Sequence, residues 1–117
     1  MLKGLGALGG LGDMAKMMKA ATEMQGKLAE MQEDLARMVV VGEAGAGLVK
    51  ARATAKGDVT GLDIDPSILV ASEKEVVEDL ILAAIHDAQA KAKARSEQEM
   101  ARLAEGLGLP PGMKLPG

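Results

Sequence analysis

An α+β fold, with a long helix at each end and a small three-stranded antiparallel sheet between them, follows from three features of the sequence. A methionine-rich heptad pattern fills residues 14–38. Short β-branched or alternating stretches fill residues 39–64, and a long helical pattern follows Ser72 and runs to Gly106.

The first helix rests on Met14, Met17, Ala21, Met24, Leu28, Met31, Leu35 and Met38, whose spacing alternates between three and four residues. Such a seam packs against another helix in coiled-coil fashion, although one core face of an ordinary helix gives the same pattern. Asp13 is the expected N-cap. Gly26 lies inside the seam and weakens the helix by roughly 1 kcal/mol relative to Ala without breaking it.

"VVVGEA" then reads as a strand over residues 39–44. In the second strand, residues 48–56, Val49, Ala51, Ala53 and Ala55 alternate with Lys50, Arg52, Thr54 and Lys56, giving one buried face and one solvated, mostly basic face. The third strand, residues 59–64, alternates Leu62 and Ile64 with Asp63 and follows a tight connection at Gly57-Asp58. These connections are too short for crossovers, so the strands pair antiparallel. Gly42, Gly45 and Gly47 in "GEAGAGLVKA" lack the Gly-Lys-Ser/Thr ending of a phosphate loop and are read as turning one strand into the next, with room for a bulge.

Pro66 after Asp65 marks a short helical turn. Ser72 and Glu75 have the spacing of a capping box ahead of the last helix. There Val76, Val77, Leu80, Ile81, Ala84, Ile85 and Ala88 keep helical spacing, and the pattern becomes charged from Lys91 onward. The expected organisation is a flexible Gly-rich arm over 1–12, one α+β domain over 13–105 and a Pro/Gly-rich tail over 106–117.

Composition limits the core. The 117 residues include no Phe, Trp or Tyr, so nine methionines and the aliphatic residues must supply the buried surface. A single small domain of this kind often needs a partner subunit. The expected core and dimer-contact positions are Met24, Leu28, Met31, Leu35, Val49, Leu62 and Ile64. No cysteine is present, which removes disulfides and thiolate metal sites. Glycines and Asp13 interrupt the opening residues too soon for a secretory signal, and no apolar run is long enough to span a membrane. The expectation is a soluble, intracellular chain without membrane contact.

Catalytic signals are weak. Gly4-Leu5-Gly6-Ala7-Leu8-Gly9 has the letters of a dinucleotide fingerprint but no strand before it. His86 and Asp87 are adjacent on a helix, point in different directions and have no nucleophile beside them. Asp63 and Asp65 alone are a poor cation site. No enzyme activity, cofactor or metal is therefore expected.

Charge is more informative. Residues 1–28 carry four basic groups (Lys3, Lys16, Lys19, Lys27) against two acidic ones, a balance of +2. Residues 91–117 carry five, among them Lys91, Lys93, Arg95 and Arg102, against three acidic ones, also +2. Between them, residues 29–90 hold five basic and twelve acidic groups, a balance of −7. If the first helix runs toward the sheet and the last away from it, both basic ends meet at the distal tip of a helical pair. Lys3, Lys16, Lys19, Lys27, Lys91, Lys93, Arg95 and Arg102 are the candidate contacts to DNA phosphates. The competing reading is a solvated helix with pairs such as Lys19–Glu23 and Lys27–Glu23. Lack of aromatics argues against base stacking on single strands.

Four ordered blocks, "VVGEAGAGLVKA", "LDIDPSIL", "VVEDLILAAIHDA" and "GLPPGMKLP", resemble the YbaB/EbfC family of bacterial nucleoid-associated proteins over nearly the whole chain. The sequence departs from that pattern at His86, where Asn is expected, and in its alanine-rich second strand. The resemblance implies a tweezers-like homodimer with the sheets as its base and helical prongs. It further implies binding to double-stranded DNA, with roles in nucleoid organisation and gene expression. The alternative is a non-enzymatic adaptor that recruits a protein partner through Met-rich helices and an acidic base.

Overall fold

The computed structural model describes residues 2–106 and Gly108, with side chains described from residue 12 onward. The order of elements is α1 (Leu2–Arg37), β1 (Val39–Ala44), β2 (Val49–Thr54), β3 (Val59–Ile64), two short 3-10 turns (Pro66–Ile68 and Ala71–Glu73) and α2 (Lys74–Gly106). The three strands form one antiparallel sheet in the order β1-β2-β3. Helix–sheet–helix order and antiparallel pairing agree with the sequence reading.

Two compact units divide the chain, Met1–Met31 and Gln32–Gly117. The first is helical. Its seam is graded: Met14 and Met17 are 58% and 70% exposed, Met24 and Leu28 are half-buried, and Met31 is buried. Because α1 begins at Leu2, Asp13 lies within the helix and is not its N-cap, and the segment expected as a Gly-rich arm is helical from Leu2. Its five glycines lower helix propensity, and four leucines with Ala7 and Lys3 supply the helix-favouring residues between them.

In the second unit α2 packs on one face of the sheet, mainly over β1 and β2. Its core is Val49, Ala51 and Ala53 from β2 against Ala84 and Ala88 from α2, all fully buried. Small side chains on both surfaces bring helix and sheet close together, and Gly42 marks the closest approach. A Cβ at Gly42 would overlap the backbone of Ala84 and Ala88, reaching 2.7 Å from Ala88 Cα. Gly42 is therefore a packing residue within β1 and not part of the turn. The turn belongs to Gly45 (φ +62°), Ala46 (φ +56°) and Gly47 (φ +90°), a left-handed run closed by Leu48 N–H donating to the Gly45 carbonyl at 3.2 Å.

The bulge falls elsewhere than expected. Arg52 pairs with Gly61 and Ala53 with Val59, which leaves Thr60 as the extra residue of β3. The bulge turns Val59 onto the same face as Leu62 and Ile64, so β3 offers three apolar side chains to the helix side. Helix α2 covers them poorly, leaving Val59 and Leu62 each 39% exposed.

Asp65 caps the first 3-10 turn, its carboxylate accepting from Ser67 N–H at 2.8 Å, as the Asp-Pro signature implies. Ser72 falls inside the second 3-10 turn, so the capping box read at Ser72 and Glu75 is displaced from the start of α2.

The end of α1 is fixed to the sheet. Ala55 N–H is shared by the carbonyls of Leu35 (3.1 Å) and Met38 (3.0 Å), and the Leu35 side chain is 1% exposed.

Candidate nucleic-acid interface

Among the described residues, the cations fall into two groups according to whether a carboxylate already neutralises them. In the Met1–Met31 unit, Lys16, Lys19 and Lys27 are exposed on α1, and none forms an ion pair. The Lys19–Glu23 and Lys27–Glu23 pairs of the solvated-helix reading are not closed. The side chain of Lys3 lies outside the described residues.

In the second unit the candidate contacts on α2 divide. Arg95 and Arg102 both pair with Glu99, at 3.6 and 3.5 Å. Lys91 is committed to the sheet. Its ammonium donates to the Val41 carbonyl and meets Asp87 Oδ2, both at 3.0 Å, while Asp87 Oδ2 also accepts from Glu43 N–H at 2.9 Å. Together Asp87 and Lys91, one helical turn apart, engage two of the outward polar groups of edge strand β1, the Glu43 N–H and the Val41 carbonyl. Side chains held across an edge in this way hinder further strand pairing there. Lys93 is exposed and without an ion pair. So is Lys56 in the β2–β3 turn, a residue passed over in the sequence because it sits within the acidic central segment. Its place on the basic face of the alternating second strand was the available signal.

The Asp87 carboxyl is held below the usual carboxylate range, first by the Glu43 N–H, then by the hydrogen bond and charge of Lys91. A lowered folded pKa contributes stability above the ordinary pKa that is lost as pH falls through the lowered value. Thermal melts of wild type and Asp87→Asn are therefore expected to differ by a constant margin above about pH 5 and to converge on further acidification. A margin that widens in acid would contradict this role. The acid/base reading of His86 and Asp87 loses its Asp to the clamp, and His86 is exposed.

Asp63 pairs with Arg52 on the outer face of the sheet, and Asp65 caps a turn. Among the described residues no cluster of three or more His, Asp or Glu side chains is arranged to hold a metal ion. No helix among them is long and apolar enough to cross a membrane. The tail from residue 109 onward lies outside the described residues.

Of the expected core and dimer-contact positions, Met31, Leu35 and Val49 are buried, Met24, Leu28 and Ile64 half-buried, and Leu62 exposed. Leu62 and Val59 border the flank of α2 opposite the Asp87–Lys91 clamp. On helical geometry that flank carries Ile85 and Leu82, the latter 55% exposed.

Comparison with known proteins agrees with this architecture. The crystal structure of an uncharacterized protein, HP0035, from Helicobacter pylori superposes with a TM-score of 0.63 at 18% identity, covering 71% of this chain and 87% of that one. A nucleoid-associated protein, bll8115, of Bradyrhizobium diazoefficiens is 48% identical over 103 residues, which is 88% of this chain and 97% of the relative. The model of the YbaB/EbfC DNA-binding family matches residues 10–107. With a helix–sheet–helix fold and a match over most of its length, the chain belongs to the YbaB/EbfC DNA-binding family.

Proposed function

We propose that the protein is a homodimeric, nucleoid-associated protein that binds duplex DNA with little sequence preference, organising the nucleoid and influencing gene expression. One observation carries the binding mode: Lys16, Lys19 and Lys27 are exposed and have no carboxylate partner among the described residues. A phosphate meeting such a lysine displaces only water and counterions, whereas at Arg95 or Arg102 it must first displace Glu99. The cations therefore act as positioning contacts to the DNA backbone, and no aromatic side chain is available to stack on unpaired bases.

Dimerisation follows from the thin core. Most of the fully buried hydrophobics in the second unit are alanines, while Val59, Leu62 and Leu82 stay exposed along the β3 side. The Asp87–Lys91 clamp engages two groups of the β1 edge, and among the described residues no such clamp lies on the β3 edge. A second copy covering the β3 side buries these side chains and supplies stability that a domain of this size lacks alone.

Two measurements test the proposal. Sedimentation equilibrium is expected to give a dimer at micromolar concentration, and Leu62→Glu to dissociate it; a folded wild-type monomer would remove the dimer. Fluorescence anisotropy is expected to show similar affinities for duplexes of unrelated sequence and weaker binding to matched single strands. Preference for single strands would contradict the proposed mode.

The adaptor reading keeps one observation in its favour, the exposure of Met14, Met17 and Met18 at 58%, 70% and 69%. Absence of duplex binding together with specific capture of a protein partner that Met17→Lys abolishes would favour it.

A further inference from the structure

A half-open groove of about 310 Å³ lies within the Gln32–Gly117 unit, with Leu35 and Ala55 among its apolar lining and Lys56, Gln89, Lys93 and Glu97 among its polar lining. Its two lysines come from different elements, yet both backbones are firmly held. Lys56 follows Ala55, which is 2% exposed and whose N–H is shared by the Leu35 and Met38 carbonyls. The turn after it is closed by Gly57 N–H donating to the Thr54 carbonyl at 2.9 Å and Thr54 N–H to the Asp58 carbonyl at 2.8 Å. Lys93 follows Ala92, which is 1% exposed. Neither ammonium has an ion-pair partner among the described residues, although Glu97 lies one helical turn from Lys93. The groove thus carries two cations and one carboxylate, with the Gln89 amide as an additional hydrogen-bond donor.

We propose that this groove seats a backbone phosphate of duplex DNA, held by Lys56 and Lys93. The proposal rests on the DNA-binding reading above and extends it from the ends of the helices to the sheet end of α2. Two fixed backbones limit where the ammonium groups can reach, so the phosphate bound there also sets the register of the duplex on the protein. Glu97 opposes an incoming phosphate and moderates the affinity of the site.

The test measures duplex affinity by fluorescence anisotropy as a function of salt for wild type, Lys56→Gln/Lys93→Gln, Lys56→Arg/Lys93→Arg and Glu97→Gln. Each variant is first confirmed folded by circular dichroism; all the substituted residues are at the surface, where such changes seldom matter to stability. The Gln pair is expected to flatten the log Kd against log salt slope by about 0.9 for each phosphate that is no longer neutralised. The Arg pair is expected to keep the wild-type slope, and Glu97→Gln to bind more tightly. Wild-type binding with an unchanged slope in the Gln pair would overturn the groove while leaving the DNA-binding reading intact. No wild-type binding to any duplex at low salt would overturn both. Calorimetry with inorganic phosphate distinguishes a second source of the same chemistry: phosphate binding that the Gln pair abolishes, with DNA affinity unaltered, would assign the groove to a free phosphorylated molecule and overturn its role in DNA binding.

Discussion

Gly42→Ala is expected to cost about 3 kcal/mol, at the upper end of the usual range for overpacking a close contact. The reason is specific to this interface. The added Cβ meets backbone atoms of Ala84 and Ala88 and not the movable end of a side chain, so α2 as a whole must lift from β1. Lifting α2 also loosens the Asp87 and Lys91 hydrogen bonds to Glu43 and Val41 on the same strand. For a domain of this size the melting temperature falls by roughly 15 °C. Urea unfolding checks it through a lower midpoint at unchanged m-value. A variant that melts within a degree or two of wild type would mean that helix and sheet do not approach as described.

Leu35→Ala is the second large effect, expected at about 3 kcal/mol. Leu35 and Val49 are the largest fully buried side chains, in a core otherwise composed mostly of alanine. Ala55, which lies beside Leu35, is too short to fill the vacated space, so the cost of the space adds to the lost transfer energy. The Leu35 carbonyl, which the substitution keeps, still accepts from Ala55 N–H and joins the end of α1 to β2, so the expected loss is one of side-chain packing. Leu35→Met, which keeps the volume, is expected to cost less than about 1.5 kcal/mol. Equal losses in the two variants would point to a shape requirement in place of a cavity.

Elements with a strong period were legible in the sequence. The alternating methionines and leucines of α1 and the alanine–basic alternation of β2 gave helix and strand directly, and the short connections gave antiparallel pairing. Gly42 was misread because sequence alone does not separate a glycine needed for a turn from one needed for close approach; both stand in the same short cluster with Gly45. The bulge at Thr60 was equally hidden, since β3 lacks a glycine signal at that residue and the shift exists only through its pairing with Arg52 and Ala53. Asp13 and Ser72 carried genuine capping chemistry, but the helix extends past one and the chain enters α2 through a 3-10 turn at the other.

The candidate interface was legible as charge and not as availability. Lys91, Arg95 and Arg102 look equivalent to Lys93 in sequence. In the structure Lys91 is bound to β1 and Asp87, and the two arginines share Glu99, whereas Lys93 has no such partner among the described residues. Lys56 was hidden by summing charge over a long acidic segment, although its neighbours in the fold are Lys93 and Gln89. Pairing across elements is a tertiary property, and segment charge does not report it.

The most direct measurement is the salt dependence of duplex binding for wild type beside Lys16→Gln/Lys19→Gln/Lys27→Gln, both verified as folded. These lysines are exposed and free of ion pairs among the described residues, so their substitution leaves the fold intact. Wild type is expected to lose affinity steeply with salt, and the triple variant to show weaker binding with a slope shallower by about 0.9 for each phosphate left without its lysine. A folded triple variant with wild-type affinity and slope would contradict the role assigned to the partner-free lysines of α1.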